Sequence, residues 1–311
     1  MSATHTVRER RVAELGVLLT VLIWSANFVV VKGSIGSFGP MSFTALRYVI
    51  ATITLFALIR WRMGGIPRPE GLWLRLIALG VVGFGAYQVT WTFGLTMITA
   101  GDSALIVAAA PVLTALLAGA IGLDRITAPK MAGALVAFTG VAVVITAGHE
   151  LSLGASLLGD ALTLTAAVLW AVYTVLGSRM LRHTDPLQAT AWSVLGGMLF
   201  LLPFAAFEIL TTPAHTFTSA AILGVIYSGT LAAGTANVLV FNAVRIVGPA
   251  RASAAQFLVP FGAVILGAIF LAEPVGIPQL VGGAIIVMGV ALTRRASILP
   301  EALRARLPWP E

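Results

Sequence analysis

The sequence predicts an all-α integral membrane protein of ten transmembrane helices, built from two inverted five-helix repeats with both termini cytoplasmic. Three observations predict it. The 311 residues are 59% hydrophobic and 10% charged, with a mean hydropathy of +0.99, whereas a soluble domain is about a quarter charged. The apolar residues gather into long continuous runs near the roughly 20 residues a helix needs to cross the hydrocarbon layer. Basic residues collect in alternate connections. Barrel strands would instead alternate strictly over about ten residues.

The predicted helices are roughly 13–31, 40–59, 76–98, 103–123, 131–148, 157–178, 188–207, 219–244, 252–271 and 277–293, joined by connections too short for a soluble domain. The first follows Arg8, Arg10 and Arg11, like a secretory signal. That reading fails because a similar tryptophan-centred helix recurs in mid-chain around Trp170. Of the 19 Lys and Arg, 17 fall in the tails and even-numbered connections, leaving Lys32 on the other face and Arg47 inside the second helix. By the positive-inside rule both termini are then cytoplasmic and the number of crossings is even. The net charge of +7 therefore orients the chain against anionic headgroups, and nucleic acid is not expected as a partner. With no cysteine, disulfides, thiolate metal sites and cysteine nucleophiles are excluded.

The chain also repeats itself. At an offset of 146, Trp24 maps onto Trp170, Pro40 onto Pro186, Thr44 onto Thr190 and Ala45 onto Ala191. At an offset of 149, Pro111 maps onto Pro260, Asp124 onto Glu273, Gly133 onto Gly282 and Gly140 onto Gly289. Two repeats follow, 1–150 and 151–311, the second with a cytoplasmic tail. Five crossings per copy is odd, so the second copy would enter from the opposite side. Inverted repeats suit alternating access, with a substrate site near the midplane where the copies meet. Duplication for structural reasons alone is the other reading.

The run Leu22-Ile23-Trp24-Ser25-Ala26-Asn27-Phe28 through Lys32, the Leu46-Arg47-Tyr48 step, Pro111 to Gly140 and its return as Pro260 to Gly289 resemble EamA-type drug/metabolite transporters over about residues 13–295. Within that superfamily the chain is most similar to bacterial amino-acid exporters of the YddG type. The resemblance implies a multi-pass protein of the bacterial inner membrane with a central cavity, exporting aromatic and other neutral amino acids. An exporter of drugs or cationic metabolites is the alternative. A channel, which would want rings of equivalent charge or carbonyls along its pore, is the reading from another class.

Polar and aromatic residues deep in the helices are the candidates for substrate binding. Trp24 and Asn27 share a face of helix 1, and Trp170 and Tyr173 repeat that spacing in helix 6. Tyr87, Gln88 and Trp91 lie in helix 3, Asn237 and Asn242 in helix 8, and Gln256 in helix 9. Amides and hydroxyls can hold a zwitterion's charged ends, while rings supply apolar and cation–π contact. Each residue also has a plainer reading as helix-to-helix glue or an interfacial anchor. For Arg47 the favoured role is snorkelling to the headgroups, with a substrate carboxylate as the lesser one. Pro111 and Pro260, read as mid-helix and equivalent, are expected to kink their helices, line the cavity and bend during gating. The glycines, including Gly80, Gly83 and Gly85, read as packing scaffold; Gly83-Phe84-Gly85 lacks the context of a dinucleotide loop.

All twelve carboxylates and four histidines fall in loops, tails or helix ends. No proton relay or hydrolytic group is then available near the midplane. The expectation is an uncoupled facilitator that is not an enzyme, needs no cofactor or metal, and works as a monomer on an amino acid.

Overall fold

The protein is described by a computed structural model covering residues 7–122, 127–147, 155–180, 184–212, 218–247 and 258–295. Among the described residues the secondary structure is entirely helical. Helix α1 spans Val7–Phe38, α2 Pro40–Met63, α3 Trp73–Met97 and α4 Ala100–Ala120. Helix α5 spans Ala128–Ala147, α6 Ala155–Met180 and α7 Pro186–Thr211. Helix α8 runs from Ser219–Tyr227 through a π-helical Ser228–Thr235 to Ala236–Val247. Last come α9 (Leu258–Leu271) and α10 (Ile277–Arg295).

The boundaries have local causes. Gly39, at φ 81°, turns the chain between α1 and Pro40, whose missing N–H costs nothing at a helix start. Thr99, Asp185 and Thr218 accept the Asp102, Leu187 and Ala221 amides at the starts of α4, α7 and α8. Helix α9 stops where Ala272 turns left-handed at φ 52° and Pro274 follows.

The expectation of ten transmembrane helices is corrected here. Among the described residues seven helices are long and apolar enough to cross a membrane: Arg11–Phe38, Pro40–Met63, Trp73–Met97, Ala100–Ala120, Ser156–Gly177, Pro186–Thr211 and Ser219–Val240. The runs read as 131–148, 252–271 and 277–293 contain the shorter apolar helices Met131–Ile145, Leu258–Leu271 and Ile277–Leu292. At about 1.5 Å per residue the apolar stretches described within these helices reach only some 21–24 Å, short of the roughly 30 Å hydrocarbon layer. Hydropathy along the chain registers apolar character but not where a helix starts and stops. The parity argument, which made the repeats inverted and put both termini on one face, rested on five crossings per copy and falls with that count.

The two halves of the chain interleave. Helix α5 packs on α10, α2 on α7 and α8, α3 on α6 and α7, α1 on α8 and α9, and α4 on α6 and α9. Small residues permit these contacts: a Cβ on Gly140 would lie 2.7 Å from the Gly282 carbonyl oxygen, and one on Gly289 2.3 Å from the Ala137 nitrogen. The outer surface carries Leu22, Ile53, Phe207, Leu210, Ile269 and Phe270, all exposed, as expected of a face in lipid.

Candidate functional site

A cavity of about 200 Å³ lies where α1, α2, α3, α4, α6, α8 and α9 converge. A water needs only roughly 10–15 Å³ by this measure, so there is room for a small solute. The cavity has an aromatic side and a polar side.

Trp24, Phe28, Tyr48, Phe84, Tyr87, Trp91 and Trp170 are the ring-bearing wall. Tyr87 and Trp91, one turn apart on α3, stack within 4° of parallel at 6.4 Å. Trp170 approaches Tyr87 at 5.4 Å, and Phe28 meets Trp91 edge-on at 5.4 Å. Such offset and T-shaped pairs are the ones the ring quadrupoles favour.

The polar side is a chain of hydrogen bonds through α1, α8, α2 and α3. Asn27 Oδ1 accepts from the Ser228 hydroxyl at 2.7 Å, and that hydroxyl accepts from Arg47 Nη1 at 2.9 Å. Arg47 Nη2 donates to Gln88 Oε1, and Gln88 Nε2 donates to the Tyr48 hydroxyl at 2.7 Å. Arg47 is 2% exposed. Its guanidinium carbon sits 5.3 Å from the Trp91 ring centre and 5.4 Å from that of Tyr48. The snorkelling expected of Arg47 is therefore corrected: the side chain turns inward, where hydroxyl, amide and ring faces replace the headgroups.

Two π-helical turns build this arrangement, Val81–Ala86 within α3 and Ser228–Thr235 within α8. A π turn shifts the register of the residues beyond it and frees a carbonyl. Within the second of them the Ala232 carbonyl oxygen accepts the Trp24 indole N–H at 3.0 Å. Gln88 lies just beyond the first of these turns and Ser228 opens the second. Glycines in both turns let neighbouring helices approach closely: a Cβ on Gly83 would lie 2.3 Å from the Tyr173 ring, and one on Gly229 2.7 Å from the Arg47 carbonyl oxygen.

Of the substrate-binding candidates, Trp24, Asn27, Tyr87, Gln88, Trp91, Trp170 and Asn237 all line this one cavity, together with both prolines. The Asn237 amide is partly spent on its own helix, donating to the Ala233 carbonyl at 2.9 Å. Tyr173 does not line the cavity; it packs behind Phe84 at 4.9 Å and Trp170 at 5.3 Å, supporting the wall. Asn242 lies instead at a second cavity with Arg62 and Asp185. Gln256, Asp124 and the four histidines fall outside the described residues. Ser228, Tyr48 and Phe84 were not singled out. Ser228 leaves no trace in a hydropathy reading, whereas an arginine inside an apolar run is a signal in its own right.

Pro111 follows a break in α4 at Ala108–Ala109, as a mid-helix proline should cause. Pro260 lies in α9, and the residues that precede Leu258, on which its expected place in mid-helix depends, fall outside the described residues.

Two of the carboxylates are more buried than their placement at helix ends suggested. Asp102 and Asp160 are 3% and 1% exposed. Glu273 accepts the Ala100 amide at 2.9 Å and pairs with Lys32 at 3.6 Å. Lys32 also donates to the carbonyl oxygens of Leu95 and Ile98 at the end of α3. Glu208 accepts the Ser42 amide at 2.7 Å at the start of α2. None of the described residues lining the main cavity is Asp, Glu or His.

The profile of the EamA-like transporter family matches the chain twice, over residues 11–146 and 157–295. An uncharacterized transporter of Archaeoglobus fulgidus is 29% identical over 88% of this chain and 94% of its own length. A "probable terminal-alkyne amino-acid exporter" of Streptantibioticus cattleyicolor is 30% identical over 90% of this chain and 93% of its own. A solved crystal structure superposes with a TM-score of 0.66, covering 91% of this chain and 98% of that one, and at 22% identity it speaks for the fold alone.

Proposed function

Since the chain belongs to the EamA-like transporter family, and is thus a multi-pass membrane transporter of a small solute, we propose that its cargo is an amino acid, aromatic or otherwise neutral, or a similar zwitterion. The observation that carries this reading is the two-sided cavity, with its aromatic wall and its Asn27–Ser228–Arg47–Gln88–Tyr48 chain. A hydrophobic side chain suits the first side, and the charged end of an amino acid suits the second. The Streptantibioticus relative, by its name an amino-acid exporter, supports the same class.

In this proposal Trp24, Tyr87, Trp91 and Trp170 contact the side chain, Asn27, Gln88 and Asn237 the polar end, and Tyr173 backs the wall. Segments 1–150 and 151–311 are the two repeats, and their relative movement about Pro111 and Pro260 gives alternating access. The protein is an uncoupled facilitator in the bacterial inner membrane and acts as a monomer. The absence of Asp, Glu and His from the described lining residues supports lack of proton coupling.

The test is uptake of radiolabelled phenylalanine and tryptophan into liposomes holding the purified protein, with no ion gradient imposed. Saturable uptake, reduced in Tyr87→Ala and Trp170→Ala, is expected. Movement of a lipophilic cation with none of either amino acid would replace this reading with drug export. Flux that does not saturate would favour a channel.

A further inference from the structure

Arg47 is a guanidinium 2% exposed, on a membrane-spanning helix, in contact with a solute-sized cavity. Burying an ion in such surroundings costs several kcal/mol unless an opposite charge accompanies it. Its hydrogen-bond partners among the described residues, Ser228 and Gln88, are both neutral. The ion pair described in this region is Lys32 with Glu273, and the cavity lining has no acidic residue among those described. The Arg47 Nε–H has no acceptor. Neither has the indole N–H of Trp91, which is itself 2% exposed and lies under the guanidinium at 5.3 Å. One corner of the cavity wall thus holds a full positive charge and two buried donors without acceptors.

We infer that this corner is a carboxylate subsite: the solute's own carboxylate is the missing counter-ion of Arg47, with Trp91 as a second donor beside it. The inference deepens the amino-acid reading and rests on it for the aromatic part of the solute. It also orders the two ends of a zwitterion. A carboxylate meets a fixed charge, and charge-assisted hydrogen bonds to arginine are about twice as strong as neutral ones. An ammonium meets only ring faces and neutral oxygens, with no acid to pair with. The carboxylate is therefore required and the ammonium merely tolerated, so the cavity accepts anions and zwitterions and rejects simple cations.

Three probes that share a phenyl ring and differ at the polar end test this: phenylalanine, 3-phenylpropanoate and phenethylamine. Binding of each to the purified wild-type protein in detergent is measured by isothermal calorimetry. Phenylalanine and 3-phenylpropanoate are expected to bind within about tenfold of each other, and phenethylamine about tenfold or more weaker than both. Arg47→Gln is expected to weaken both carboxylates by about tenfold or more and to leave phenethylamine unchanged or improved, with Arg47→Lys in between. The wild-type comparison needs no variant, so poor folding of either mutant does not obscure the answer. Equal or tighter binding of phenethylamine, full carboxylate affinity in a folded Arg47→Gln protein, or binding of none of the three overturns the subsite. Uptake of phenylalanine is followed in parallel. Arg47-dependent carboxylate binding without amino-acid uptake would leave the subsite standing and sink the amino-acid transport reading alone.

Discussion

Ser228 is the smallest member of the polar chain and joins its two halves, accepting from Arg47 and donating to Asn27. Removing its hydroxyl leaves a buried guanidinium N–H and a half-buried amide oxygen each short of a partner. Ser228→Ala should lower stability by about 1–2 kcal/mol, measured by thermal unfolding in detergent. An unchanged melting curve would mean that Arg47 is held by its ring contacts instead. Tyr173 has a different kind of dependence, on the absence of a side chain at Gly83. Gly83→Ala should displace its ring and disturb the Phe84–Trp170 wall, and the double variant with Tyr173→Ala should recover part of the lost stability, a coupling that a double-mutant cycle reads directly.

Helix α3 meets α7 backbone to backbone. A Cβ on Gly80 would lie 1.8 Å from the Ser193 carbonyl oxygen, and one on Gly196 2.1 Å from that of Ile77. No rotamer change relieves a clash with a main-chain atom, so Gly80→Ala should cost about 1–3 kcal/mol or more and reduce folded yield in detergent. Gly36 in α1, where an added Cβ would meet nothing within 4 Å, is the control. Gly36→Ala should be neutral or stabilise by up to about 1 kcal/mol through helix propensity. Charge also fastens helix ends across the halves. Glu273 holds the first amides of α4 and pairs with Lys32 of α1. Glu273→Ala should destabilise by about 1–3 kcal/mol, and Glu273→Gln by less, since the amide oxygen still caps α4 while the ion pair is lost. Equal losses from the two would show that the pairing with Lys32, rather than the cap, supplies the effect.

For the molecule as a transporter, the decisive property is how the cavity changes access. Its floor and walls come from both halves of the chain, so a shift of one half relative to the other would change access to it. Pro111, which already interrupts α4, is where such a shift would meet least resistance from backbone hydrogen bonds. Pro111→Ala should lower the maximal uptake rate more than it changes the half-saturating concentration. With no acid or histidine among the described lining residues, net phenylalanine flux at a fixed substrate gradient should not change when a protonophore collapses an imposed proton gradient. Dependence on that gradient would overturn the uncoupled mechanism and turn attention to buried Asp102 and Asp160.

Composition alone established that this chain belongs in a membrane and is helical, because hydrocarbon tolerates no unpaired backbone and the apolar runs are too long for strands. Seven of the residues that line the cavity were also legible, since polar and aromatic side chains inside apolar runs stand out against their neighbours. What could not be read was where helices end. The runs around 131, 258 and 277 look like their neighbours in hydropathy, yet among the described residues their apolar helical stretches are shorter than a crossing needs, and one of them is ended by the left-handed turn at Ala272. The direction of Arg47 was decided in three dimensions as well. On a helix drawn alone its long side chain reaches the headgroups; in the folded bundle Ser228, Gln88 and Trp91 arrive from other helices and hold it inward. Hydropathy and spacing describe each helix against lipid. Which polar groups meet one another depends on how the helices pack, and that information is distributed over residues more than a hundred positions apart.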